Sequence, residues 1–189
     1  TDEAAARIAA IRETLEETGL AIAIDGQKDA VSIAEARAAL HDGATLAAIC
    51  AAQEWTVRLD LLIPWARWEP PVGAKRRYDT RFYIADATHL RQDGVVDASE
   101  NSHLFWASAP EIIARDAANE LFIIFPTLRN LDRLALFSSF AEAVEHAHAF
   151  PVRTIVTYKG EYADGPHICI PDGHGYPVLS QSFASAKRG

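Results

Sequence analysis

Apolar residues recur near the start of the chain at Ala4, Ile8, Ile11 and Leu15, in steps that fall on one face of an α-helix. The spacing predicts a helix over 3–18, closed at Gly19, where a left-handed C-terminal cap belongs. Leu20 to Ile24 is a short apolar run, read as a strand ended by the turn signal Asp25-Gly26. Ile33–Leu40 and Thr45–Trp55 read as two helices parted by Asp42-Gly43. Arg58–Trp68 and Thr80–Ala85 read as strands, the first stopped by Pro70-Pro71, and Ser102–Ala107 as another after a polar loop. Ala109–Leu121 and Leu128–Ala149 carry helical periodicity and are separated by Phe125-Pro126. Arg153–Lys159 and His167–Pro171 read as strands around Asp164-Gly165, followed by a polar tail. Without repeats or low-complexity linkers, 1–189 reads as a single domain with a helical insertion at about 30–56 and additional helices at about 126–149.

Composition narrows the classes. Of 189 residues, 49% are hydrophobic and 23% charged, which suits a globular protein with a sizeable core. The net charge of −8 argues against general nucleic-acid binding, which depends on Lys and Arg contacts to phosphate. An anionic ligand on such a surface calls for a local counter-charge, and a divalent cation is the natural one. No apolar run approaches the roughly 20 residues that span a bilayer, so no membrane partner is expected. Cys50 and Cys169 lie far apart without metal-ligand or redox spacing, which suits a reducing, cytoplasmic setting. Methionine is absent even at position 1, so an upstream piece is expected to be missing, or methionines have been dropped from the sequence as written.

The segment RETLEETGL, Arg12 to Leu20, places Glu13, Glu16 and Glu17 three and four residues apart. On a helix these carboxylates are neighbours, and like charges so placed cost roughly 0.2–0.5 kcal/mol per pair. They also crowd the helix end where the dipole disfavours acids. One reading is a solvated face that tolerates the repulsion. The other is a set of hard oxygen ligands for a divalent cation.

The same segment resembles the second half of the Nudix box, G-x5-E-x7-R-E-U-x-E-E-x-G-U, with U an apolar residue. Arg12, Glu13, Glu16, Glu17, Gly19 and Leu20 fall on the pattern, and Thr14 is a weak match at the first U. Five fixed residues at ordinary usage recur by chance about once per million windows, a figure the helical liking for Glu softens. Ala4 stands where the box has an acid, and its glycine-bearing arm does not occur in this sequence. PWARWEPP, RRYDTRFYIADA, ENSHLFWASAPEIIA and FPTLRNLDRLALF follow in an order that resembles the branch holding the peroxisomal coenzyme A diphosphatases and their bacterial relatives, over roughly residues 5 to 150. The last residues, Ala186-Lys187-Arg188-Gly189, do not form the peroxisomal address of the mammalian members.

The resemblance implies an α+β fold of the Nudix type, an α/β/α sandwich with a mixed sheet, extra helical insertions and its N-terminal strands missing here. It implies that Glu13, Glu16 and Glu17 ligate Mg²⁺ or Mn²⁺, that Glu16 or Glu17 doubles as the base, and that Arg12 orients the cluster. Glu100 is a further candidate ligand or base, with a solvated loop acid as the alternative. Arg76, Arg77 and Arg81 around Asp79 read either as a diphosphate-binding cluster or as an ion-pair network. Trp65 and Trp68 read as a base-stacking pair or as core, and Trp106 as core.

Among the histidines, His146 and His148 are two apart on a helix and so diverge, while His167 and His174 flank IPDGHGYP. No zinc motif, GxSxG elbow, P-loop or GxGxxG is present. The expected function is metal-dependent hydrolysis of a nucleoside diphosphate joined to another moiety, with coenzyme A or an acyl derivative favoured. The alternative is a non-catalytic Nudix-like module that binds a nucleotide or a protein. The extra helices also offer a surface for a homodimer.

Overall fold

The computed structural model describes residues 2–70, 78–88, 90 and 104–186. The chain divides into two compact units, Thr1–Ile63 with Ile84–Trp106 and Pro64–Tyr83 with Ala107–Gly189.

The first unit opens with helix α1, Asp2–Thr18, whose Asp2 and Glu3 complement the positive end of the helix dipole. Its apolar stripe narrows to Ile11 and Leu15, which are fully buried, while Ile8 stays exposed. The run after Gly19 is buried but mostly not a strand. Ile22 N–H donates back to Leu20 O and Ala23 has a positive φ, so pairing is confined to β1, Ile24–Asp25, against β2, Thr56–Val57. Between them lie α2, Ala30–His41, and α3, Leu46–Ala52. Asp29 caps α2 through the Ser32 N–H with Ser32 reciprocating, and Thr45 caps α3 through the Ala48 N–H. α1 packs on α2, and α2 on α3. Leu59–Leu61, expected as strand, is instead a 3₁₀ turn, preceded by Arg58, which forks onto the Asp60 carboxylate and also donates across to Asp25 on β1.

The second unit centres on β3, Ile63–Glu69, which lies between β4, Thr80–Ile84, and β5, Thr154–Val156. β3 and β5 run parallel with Trp68 opposite Ile155. α4, Ala109–Ala117, begins with a capping box of Ser108 and Glu111 and packs on α5, Phe125–Leu134. Pro126, expected to separate two helices, occupies the first turn of α5, where its missing N–H costs nothing. The long helix expected after it is two, because Ser139 caps a new helix α6, Phe140–Ala149. An antiparallel sheet of β6, Tyr158–Tyr162, β7, Gly165–Cys169, and β8, Ser180–Ser182, follows. β8 falls in the segment expected to be a polar tail. Leu104 to Ala107 carry no strand, and Trp106, expected in the core, is 62% exposed.

Trp65 and Trp68 are both core residues, each 3% exposed. Trp65 is covered by the guanidinium of Arg133, 3.9 Å from its ring, and Arg133 also donates to Trp65 O at 2.7 Å. Such a desolvated cation–π contact is worth about 2 kcal/mol. Arg133 further donates toward His146 Nδ1 at 3.3 Å. Tyr176 completes the cluster, its hydroxyl accepting from Trp68 Nε1 at 3.3 Å and donating to Asn130 Oδ1 at 2.7 Å. Gly175, at φ 78°, lets this loop close on α6, since a Cβ there would sit 2.6 Å from His146 Cε1.

Burial and the neighbouring Arg133 hold His146 below its ordinary pKa, and burial and Arg153 do the same for His174. Both therefore bind protons more readily unfolded than folded. Their stabilising share is present above about pH 6.5 and is lost as the pH falls through that value toward the lower folded pKa. Thermal midpoints from pH 7.5 to 5 should fall, and the slope should flatten in His146→Gln. In Tyr176→Phe, Trp68 and Asn130 lose a buried partner, which should cost about 1–3 kcal/mol by denaturant unfolding.

Candidate functional site

Three glutamates share the last turns of α1 because Arg12, Glu13, Glu16 and Glu17 sit on a helix whose Ile11 and Leu15 are anchored in the core. Arg12 reaches two of them. Its Nη2 donates to Glu13 Oε1 at 3.0 Å, and its Nη1 pairs with Glu16 Oε2, one helical turn on. Glu13 is exposed, whereas Glu16 keeps only 21% of its side-chain surface.

The helix stops where the acids end. Gly19 takes φ 72° and its N–H donates to Leu15 O at 2.9 Å. Thr14 and Thr18 bond back to Ala10 O and Thr14 O, and the Leu20 N–H donates to Thr18 Oγ1. α1 has no base in its last turn. The compensating charge comes from α2, where Arg37 donates to Glu16 O at 3.0 Å and Glu17 O at 3.2 Å. His41 Nδ1, further along α2, lies 3.7 Å from Glu16 Oε1. Arg37 and His41 were not picked out from the sequence. The signals for them are the uncompensated acidic helix end and their own four-residue spacing.

The other candidates divide. Arg76, Arg77 and Glu100 lie outside the described residues. Arg81 sits in the second unit and bonds to Asp79 Oδ2 at 3.1 Å, while Arg67 forks onto the same carboxylate at 2.7 and 2.9 Å. Hydrogen bonds from Arg67, then from Arg81, hold Asp79 below the usual carboxylate range. Within this knot, the described residues thus form an ion-pair network of Asp79 with Arg67 and Arg81. His146 packs inward while His148 is exposed, so the two diverge as their spacing requires.

The donor set at the end of α1 suits a hard divalent cation in kind, since it offers carboxylate oxygens on adjacent turns. Among the described residues, no three His, Cys, Asp or Glu are gathered closely enough to hold a metal ion, and Arg12 engages two of the three glutamates. No helix among the described residues is long and apolar enough to cross a membrane.

The helices, mixed sheet and acidic helix end together make an α+β fold of the Nudix class, and the crystal structure of a NUDIX hydrolase from Alicyclobacillus acidocaldarius matches with a TM-score of 0.61 at 25% identity, covering 71% of this chain and 63% of that one. Residues 1–134 match the family model described as NUDT19 Nudix domain, and the chain belongs to that family. It is also 30% identical over 159 residues to the acyl-coenzyme A diphosphatase NUDT19 of Gallus gallus, across 72% of this chain and 42% of that protein. The chain thus spans about two fifths of the length of that curated relative.

A Cβ on Gly19 would be strained at this φ, while meeting Arg37 Cδ only in ordinary contact at 3.4 Å. Gly19→Ala should therefore lower stability by about 1–2 kcal/mol in denaturant unfolding.

Proposed function

We propose that this protein is a metal-dependent Nudix hydrolase that cleaves the diphosphate bond of a nucleoside diphosphate joined to another moiety. The observation that carries this reading is the set Glu13, Glu16 and Glu17 at one helix end, with Arg12 bound to two of them. A divalent cation, Mg²⁺ or Mn²⁺, held by these carboxylates supplies the positive charge that makes a diphosphate open to attack. Arg12 keeps Glu13 and Glu16 oriented, and Glu16 or Glu17 takes the proton of the attacking water. The products are a nucleoside phosphate and a second phosphorylated fragment. Coenzyme A or an acyl-coenzyme A is the favoured substrate, because the relative from Gallus gallus is named for that activity.

One observation favours a second reading, a non-catalytic Nudix-like module that binds a nucleotide or a partner protein. The three glutamates are not drawn together as metal donors among the described residues, and Arg12 occupies two of them.

The full-length protein, assayed with Mg²⁺ or Mn²⁺ on coenzyme A, NADH, ADP-ribose and a nucleotide sugar, separates the two. Turnover should require the metal and fall by about a thousandfold or more in Glu16→Gln/Glu17→Gln, as expected for losing several kcal/mol of charge stabilisation. A folded protein that turns over none of the four belongs to the second reading.

A further inference from the structure

We propose that Arg37 is a positioning residue for the carboxylate patch: from helix α2 it grips the carbonyls that end α1 and fixes where Glu16 and Glu17 point. The inference rests on reading Glu13, Glu16 and Glu17 as cation ligands.

The last carbonyls of any helix lack partners within it, and an unsupported last turn frays. In α1 that turn carries both Glu16 and Glu17 and has no basic residue of its own. Arg37 meets the need with two donors, Nε to Glu16 O and Nη2 to Glu17 O. A planar guanidinium can hold two carbonyls at once, whereas a lysine ammonium acts as a point charge without that fork.

Two neighbours frame the grip. Gly19, at φ 72°, ends the helix beside the Arg37 stem, whose Cδ lies 3.4 Å from where a Cβ would stand. Arg37 is itself held by α2, where Ile33, Ala36 and Leu40 are buried around it in sequence. One turn on, His41 lies 3.7 Å from Glu16 Oε1, so the same face of α2 meets both the backbone and the carboxylate of Glu16. Helix α2 thereby becomes part of the site's framework.

Positioning and plain electrostatics predict opposite signs. A guanidinium beside a cation site repels the cation, so a merely electrostatic Arg37 would weaken metal binding, and its removal would tighten it. A positioning Arg37 does the reverse.

Mn²⁺ binding to the full-length protein, read by electron paramagnetic resonance of the free ion, tests this without any substrate. Arg37→Met should weaken Mn²⁺ binding by about tenfold or more, with Arg37→Lys in between, the range seen when groups supporting metal ligands are removed. Near-ultraviolet circular dichroism checks that each variant is folded, and Arg37→Lys carries the test should Arg37→Met fail to fold. Unchanged or tighter binding in the folded variants overturns the proposal while leaving the site intact. Glu16→Gln/Glu17→Gln is the separate control: if it binds Mn²⁺ like the parent, the carboxylates are not the cation site, and the functional reading falls with it.

Discussion

Carboxylates at the carbonyl end of a helix are disfavoured twice, by one another and by the helix dipole. The first unit is arranged around resolving that conflict. Arg12 neutralises two side chains from within α1, and Arg37 satisfies two main-chain oxygens from outside it. Gly19 ends the helix early enough for Arg37 to enter. Ile11, Leu15, Ile33, Ala36 and Leu40 are buried along α1 and α2 and support this arrangement. The groups that relieve the charge conflict therefore also hold the end of the helix in place.

The second unit faces a different electrostatic problem, a buried guanidinium. Arg133 is 2% exposed, and among the described residues it meets a carbonyl, two aromatic faces and an imidazole rather than a carboxylate. Burial accordingly lowers its proton affinity and depresses that of His146 beside it. Spreading one charge over polarisable rings and a main-chain dipole avoids burying a second ion, which in an apolar interior is costly.

Much of this was legible in the sequence where a signal is local. The helix expected over 3–18 and its stop at Gly19 follow from spacing within a few residues, and the structure places them at Asp2–Thr18 and Gly19. The acidic set was legible because the motif is contiguous. Signals that depend on distant partners were not. Leu59–Leu61 has strand-like composition but closes as a 3₁₀ turn, and Ser180–Ser182 looks like tail until β7 offers it an edge. Trp106 carries every mark of a core residue, yet nothing in its own neighbourhood records which surface is left open. Arg37 was missed for the same reason: its partners are main-chain oxygens some twenty positions away, which leave no trace in side-chain patterns.

The register of β3 against β5 pairs Arg67 with Thr154 and Trp68 with Ile155. On a ribosome, β3 emerges long before its parallel neighbour exists, and Trp65 and Arg133 must wait for Tyr176 to be enclosed. Pairings this far apart in sequence form slowly and leave strand edges and aromatic surface bare in the meantime. During synthesis, the sheet and aromatic cluster of the second unit therefore stay open until the C-terminal residues have emerged.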